Sequence, residues 1–438
     1  MKLIEKFCER ICGEATLDPA SRAAAVRAFE DTIAVAFAGW FEPASVAARK
    51  YAGQGGWQLL DGTCVSSPEQ AAFANAVAGH ALDYDDVHLV SVTHPSVVSV
   101  PALMALAHLA DSRRSILDAY GVGVSVNIEL GRILGFEHYD RGWHATSTIG
   151  PVAAAAAGCH YLGLDEASTR SALALAAAQS SGMQRNFGSM AKPVQAGNAA
   201  SAAVRAVMLA AAGVDGDRDI FGIKGFGDLF GANVPSSARM APSDVNSISV
   251  KLYPCCYATH RLIAAALEAR AQLGDRTIDT LKSVAVSVPF ETMQPLQVLD
   301  PRSGTEAKFC ATYVLSVALL SGDVRLSDFS ETAIHRPEVR ALMERITVAD
   351  DRDSGRPHVS LEYGQVDLAL DFRDGSRVAA AAFVFPGSPE APPTTEQMGA
   401  KITDCAAIFS RQSGVELGIG DIRSRVMELT DSAQRAAV

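Results

Sequence analysis

The chain has 438 residues, 48% of them hydrophobic and 20% charged, with a formal charge of −11. That composition supports a sizeable core and excludes a wholly disordered or fibrous chain, while the acid excess argues against an electrostatic grip on nucleic acid, which needs a basic face. At this length two domains are expected, because a single core stops growing at roughly 250–300 residues.

The opening residues, MKLIEKFCERICGEA, alternate as an amphipathic helix does and lack the unbroken apolar stretch of a signal peptide, so a cytoplasmic protein is expected. The eight cysteines form no CxxC pair and no regular framework, which fits reduced thiols in a cytosolic core. Alanine dominates the first 270 residues or so, in runs such as GPVAAAAA from Gly150 and NAASAAVRAVMLAAA from Asn198. Alanine is the best helix former and lets helix axes approach closely, so a compact helical bundle is predicted, cut into ordinary lengths by Pro43, Gly53, Pro95, Gly135, Gly163 and Gly213. The uncharged stretch from Leu89 to Ala110 is long enough for a membrane span, but two prolines and several Ser, Thr and His residues interrupt it, and a buried helix plus loop is the better reading.

The texture changes near residue 275. Period-two alternation in 282–288, 345–348, 358–363 and 365–372, followed by an Asp374-Gly375 turn into 377–385, predicts an antiparallel sheet. Helices are expected at 307–320 and 336–344, and again at 395–411 and 421–430 after the proline-rich linker that begins at Pro386. The fold class is therefore mainly α with an α+β second domain. Residues 1–268 and 396–438 form the helical domain, and 269–395 form a smaller lid.

Common signatures are absent: there is no GxxxxGK[ST], HExxH or GxSxG. What stands out is GHALDYDDVHLVSVTHP at 79–95, which packs three carboxylates and three histidines between two apolar helices, where polar groups are costly unless paired or used. Asp83, Asp85, Asp86, His88 and His94 are competent metal ligands, but their spacing matches no familiar metal motif. Acidic residues near a histidine equally orient its imidazole for proton transfer, or serve as solvated helix caps. His144 precedes a helix start in GWHATSTIGP, where backbone donors favour an anion. Of only nine lysines, Lys192 and Lys251 sit in apolar, turn-rich segments, GSMAKPVQAGNAA and KLYPCCYATH, suited to holding a carboxylate.

Together with GTEAKFCATYVLSVALLSG at 304–322, these five ordered motifs resemble the MmgE/PrpD family, which includes 2-methylcitrate dehydratase, cis-aconitate decarboxylase and iminodisuccinate epimerase. The resemblance implies a large helical domain with an α+β lid, a homodimer, no metal or organic cofactor, and a pocket for small di- or tricarboxylates. It places the catalytic positions on Asp83, His94, His144, Lys192, Lys251 and Tyr313. Two departures are visible: Gln195 stands where some relatives have a histidine, and Cys255-Cys256 where decarboxylase-like members tend to have another. On this reading Lys192 and Lys251 clamp substrate carboxylates, with Arg185, Gln195 and Arg261 as further substrate contacts. His94, held by Asp83, is the base or acid, and His144 or Tyr313 the opposite proton carrier. A 2-methylcitrate-dehydratase-like hydro-lyase is the favoured activity. An epimerase or decarboxylase of a related acid is the alternative, and a non-catalytic carboxylate binder the more distant one.

Overall fold

The structure, a computed structural model, describes residues 2–109, 114–231, 244–289, 292–350 and 364–431. It divides into two compact units: Met1–Arg185, Met190–Val250 and Thr394–Val438 in the first, and Asn186–Ser189 with Lys251–Pro393 in the second.

The centre of the first unit is four helices, Pro68–His80, Pro95–Ala107, Ala145–Leu162 and Ala191–Ala211, packed on one another. The second and third are apolar all round and buried almost throughout, as a helix surrounded by others must be. Small residues set how near they come. A Cβ on Gly197 would lie 2.5 Å from Val77 and 2.9 Å from Phe73, so these two helices touch through glycine. Ser67 caps Pro68–His80 by accepting from the Gln70 N–H at 3.2 Å, and Asp18 caps Pro19–Ala38 by accepting from Ala20 and Ser21.

Thr395–Ser413 returns to pack against Pro19–Ala38, with the Phe37 and Phe409 rings 4.8 Å apart edge to face. Between these helices lies a buried ion pair, Lys401 Nζ to Asp31 Oδ1 at 2.6 Å. The same ammonium donates to the Tyr84 carbonyl at 2.9 Å, which ties the C-terminal helix to the loop carrying the acidic cluster. The first unit is not purely helical: Trp57–Gln58 and Cys64–Val65 pair as a short antiparallel hairpin, whose two-residue strands the sequence pattern does not resolve. The tempting 89–110 stretch supplies the buried helix Pro95–Ala107, with Pro101 inside it. Among the described residues no helix is long and apolar enough to cross a membrane.

In the second unit a four-stranded sheet runs in the order Ile346–Asp350, Leu281–Val288, Val366–Phe372, Arg377–Ala382. Alternation does its work here: Val366, Leu368, Leu370 and Phe372 are buried, while the residues between them are partly exposed. The Asp374-Gly375 turn forms as expected, with Gly375 at φ 86° and its N–H donating to the Phe372 carbonyl at 3.1 Å. The expected all-antiparallel sheet is instead mixed, because Ile346–Asp350 pairs parallel to Leu281–Val288. The chain between those strands contains helices Ala311–Ser321 and Pro337–Met343, a crossover long enough to bring the next strand back in the same direction. The 358–363 strand expectation lies outside the described residues.

The second unit begins at Lys251 rather than near 269. Helix His260–Ala271, whose alanines suggest the bundle, packs on strands Val366–Phe372 and Arg377–Ala382 and on helix Ala311–Ser321. All eight cysteines are free thiols.

Candidate active site

Four helix ends in the first unit build a buried polar cluster. His80 is the last residue of Pro68–His80, His94 is the N-cap of Pro95–Ala107, His144 is the N-cap of Ala145–Leu162, and Lys192 lies in the first turn of Ala191–Ala211. The His94 N–H donates to Thr146 Oγ1 at 3.0 Å, locking two of the N-termini side by side. Three such termini place the positive ends of their peptide dipoles around the cluster, which favours an anion.

The three carboxylates of the loop after His80 take three separate partners. Asp83 Oδ1 pairs with the Lys192 ammonium, both side chains about 95% buried. Its backbone sits at φ 51°, in the left-handed region that costs an aspartate of order 1 kcal/mol or more and that recurs at functional sites. Asp85 Oδ2 lies 2.7 Å from His80 Nδ1 and 3.3 Å from His94 Nδ1. Asp86 accepts from the Ser96 N–H at 3.2 Å, and the Ser96 hydroxyl lies 2.6 Å from Tyr120 Oη. His88 is a satisfied structural residue, its Nδ1 2.8 Å from Ser91 Oγ within a Ser91, Thr93 and Asn127 network.

The expected Asp83–His94 pairing is therefore replaced. Asp85 is the carboxylate beside His94, at 3.3 Å, and Asp83 is taken by Lys192. The sequence reading also leaves out His80, whose ring lies 4.7 Å from His94 edge to face and 5.8 Å from His144 in a stack. The signal available was the spacing from His80 to Asp85, which places the end of one helix beside the loop that follows it.

Burial dominates the electrostatics. It lowers His80 to about 4 despite Asp85, with Lys192 adding to the effect. His144 is pushed well below the ordinary histidine value, first by burial and then by Lys192, His80 and His94. Burial alone would raise Asp85, but His80 and His94 hold it well below the carboxylate range, so it is the anionic anchor. His144 Nδ1 lies 2.8 Å from Gln195 Oε1. His94 keeps 12% of its side chain exposed, whereas those of His80 and Asp85 are fully buried, so His94 is the one of these three with surface open to solvent.

One ligand atom each from His80, Asp83, Asp85 and His94 lies within 4.8 Å of the others, a donor set of metal-binding type. A divalent cation there would compete with the Lys192 ammonium already on Asp83.

Gln195 belongs to this cluster, and Arg185 is exposed in the short turn Gln184–Asn186. Lys251, Arg261 and Tyr313 lie in the second unit. Lys251 and Arg261 are almost completely buried there. The Arg261 guanidinium donates to the Gly364 carbonyl and lies 4.1 Å from the centre of the Phe385 ring. The Tyr313 hydroxyl donates to the Asp328 carbonyl, and burial pushes its pKa up to about 12.

Buried histidines also set an acid limit on the fold. His80, His88 and His138 are each lowered by burial from 6.5 to about 4, so the stability they contribute is present above pH 6.5 and is lost as pH falls toward 4. Asp86 runs oppositely. Burial, with Asp31 and Asp85 nearby, lifts it to about 7, so its contribution is full at low pH and is lost as pH rises through 7. The lowered histidines, with His144 and His160 shifted in the same direction, outnumber the raised carboxyls Asp86 and Glu30, which predicts that the thermal midpoint drops between pH 6.5 and 4.5. A midpoint that stays level or rises on acidification would contradict these assignments.

The MmgE/PrpD N-terminal domain matches residues 6–236 and the MmgE/PrpD C-terminal domain matches residues 253–417. The chain is 30% identical over 356 residues to the cis-aconitate decarboxylase of Homo sapiens, covering 76% of this chain and 72% of that protein. It is 28% identical to the Mus musculus cis-aconitate decarboxylase, covering 76% and 70% of the two chains. It is 26% identical to the cis-aconitate decarboxylase-like protein oryM of Aspergillus oryzae, covering 77% and 76%.

Proposed function

The chain belongs to the MmgE/PrpD family, and from that premise we propose that it is a lyase that decarboxylates a cis-aconitate-like tricarboxylate. The observation that carries this reading is the convergence of an ammonium, Lys192, with separately backed imidazoles, His94 on Asp85 and His144 on Gln195, in one buried cluster. Similarity to proteins named cis-aconitate decarboxylase supplies the substrate class.

In such a reaction the bond from carbon to the departing carboxylate breaks and CO2 leaves. The released pair forms a new carbon–carbon double bond, and the pair of the old one takes a proton at the carbon beside another carboxylate. Lys192 holds a remaining carboxylate and offsets the charge that spreads onto it. His94 delivers the proton, with Asp85 fixing its ring and stabilising its charged form before transfer. His144 is the second proton carrier, on a separate anchor. Lys251 and Tyr313 enter as proposals from the family resemblance, Lys251 as a second carboxylate clamp. Tyr313 would first have to give up its bond to Asp328. The same resemblance supports a homodimer that needs no organic cofactor or metal, and the cysteine pattern, without a CxxC pair or regular framework, supports a cytoplasmic location.

Dehydration of a 2-methylcitrate-like acid is the second reading. It is favoured by the Cys255-Cys256 pair, which stands where decarboxylase-like relatives tend to carry a histidine. It uses the same clamp, with one carrier abstracting a proton and the other protonating the leaving hydroxyl. An NMR assay in D2O on cis-aconitate, 2-methylcitrate, citrate and iminodisuccinate separates CO2 loss, dehydration, solvent exchange and epimerisation. Loss of CO2 from cis-aconitate with one deuterium gained is expected, unaffected by prior dialysis against a chelator. Dehydration of 2-methylcitrate without CO2 loss would transfer the assignment to the second reading. Silence on all four acids would sink both.

A further inference from the structure

Gln195 is held by both polar groups of a single residue. The Met183 N–H donates to Gln195 Oε1 at 3.1 Å, and Gln195 Nε2 donates to the Met183 carbonyl at 3.2 Å. A backbone N–H only donates and a carbonyl only accepts, so the two bonds together decide which end of the amide is oxygen. That oxygen lies 2.8 Å from His144 Nδ1. An amide oxygen only accepts, so Nδ1 must carry the proton. In a neutral imidazole the other nitrogen, Nε2, is then the acceptor.

The surroundings are built to keep this arrangement. The His144 N–H donates to the Gly182 carbonyl at 3.1 Å, and Trp143 bridges to Met183, so the chain on either side of the clamp is held in register. Ser147 Oγ donates to the Gln195 carbonyl at 3.0 Å. Gly182 sits at φ 120°, and a Cβ there would come within 2.8 Å of Gln195 Oε1 and of Ser147 Cβ. Only glycine lets the amide approach.

We infer that Gln195 is a positioning residue that sets the tautomer of His144, presenting Nε2 as a proton acceptor. This rests on reading His144 as a proton carrier, and it sharpens that reading. An acceptor nitrogen repels a carboxylate oxygen and suits a hydroxyl or an acidic C–H, so the site has a carboxylate side at Lys192 and a proton-accepting side at His144. A proton taken by Nε2 makes the imidazolium, whose Nδ1–H keeps its acceptor in Gln195. Gln195 thus serves His144 in both protonation states and need not touch substrate.

The test is 15N NMR of the full chain labelled in histidine, with the His144 signals identified by their loss in His144→Gln. At pH 7 the wild type is expected to show a protonated Nδ1 and an unprotonated Nε2. In Gln195→Leu that preference should be lost, and kcat should fall about 10-fold or more with KM nearly unchanged, a part of the 10²–10⁴ that a positioned proton carrier supplies. An Nε2-protonated or doubly protonated His144 in the wild type would overturn the inference, and so would an unchanged tautomer in Gln195→Leu. A rise in KM at constant kcat would make Gln195 a binding residue instead and would equally overturn it. The wild-type spectrum needs no turnover, so an enzyme inactive on every acid of the panel would remove the proposed reaction and leave this measurement standing.

Discussion

Replacing Lys192 by alanine is expected to lower kcat at least about 10²-fold, equivalent to about 3 kcal/mol of transition-state stabilisation lost with one charged donor. The ammonium is buried against Asp83 and stands at the start of a helix whose N-terminal dipole favours the same anion. Its contact with substrate must strengthen as negative charge spreads from the breaking bond, so the loss falls on kcat more than on KM. The substitution also leaves the Asp83 carboxylate buried without its cation, which costs about 3–5 kcal/mol of stability. The two effects separate in the double variant Lys192→Ala/Asp83→Asn, which removes the stranded charge. Its thermal midpoint should recover while turnover stays low. Recovery of turnover along with stability would make Lys192 a structural residue.

The second large effect is expected at Asp85. Asp85→Asn should lower turnover by roughly 10²–10⁴, the span a positioned acid or base supplies, because the carboxylate both orients His94 and offsets the charge on its ring. Asp83→Asn should act differently, through the placement of the Lys192 ammonium, while leaving proton delivery by His94 largely intact. Steady-state kinetics of the two variants side by side check this division. Wild-type kcat in Asp85→Asn, or a larger proton-transfer defect in Asp83→Asn, would return the orienting role to Asp83.

Why the sequence suggests Asp83 for that role is a matter of geometry. Composition and spacing mark 79–95 as the chemical segment, because three carboxylates and three histidines between apolar helices need partners. They do not say which carboxylate turns which way. That follows from the left-handed backbone at Asp83 and from Lys192 arriving from a helix more than a hundred residues later. His80 was hidden for a related reason, since at the end of an alanine-rich helix it reads as a terminus until Asp85 folds back to it. The helical unit and the alternating strands are legible because periodicity is local. The parallel pairing of Ile346–Asp350, the place of helix His260–Ala271 and the two-residue hairpin depend on distant partners that no local pattern encodes. The lysines at 192 and 251 stood out only through scarcity and setting.

Deuterium at the newly protonated carbon, followed by NMR during turnover of cis-aconitate in D2O by wild type and His94→Ala, tests the role of His94 most directly. His94→Ala should be folded and should bind substrate through Lys192, yet deliver deuterium to carbon at least about 10²-fold more slowly. An undiminished rate of deuterium incorporation in a folded His94→Ala protein would contradict the assignment of His94 as the proton carrier.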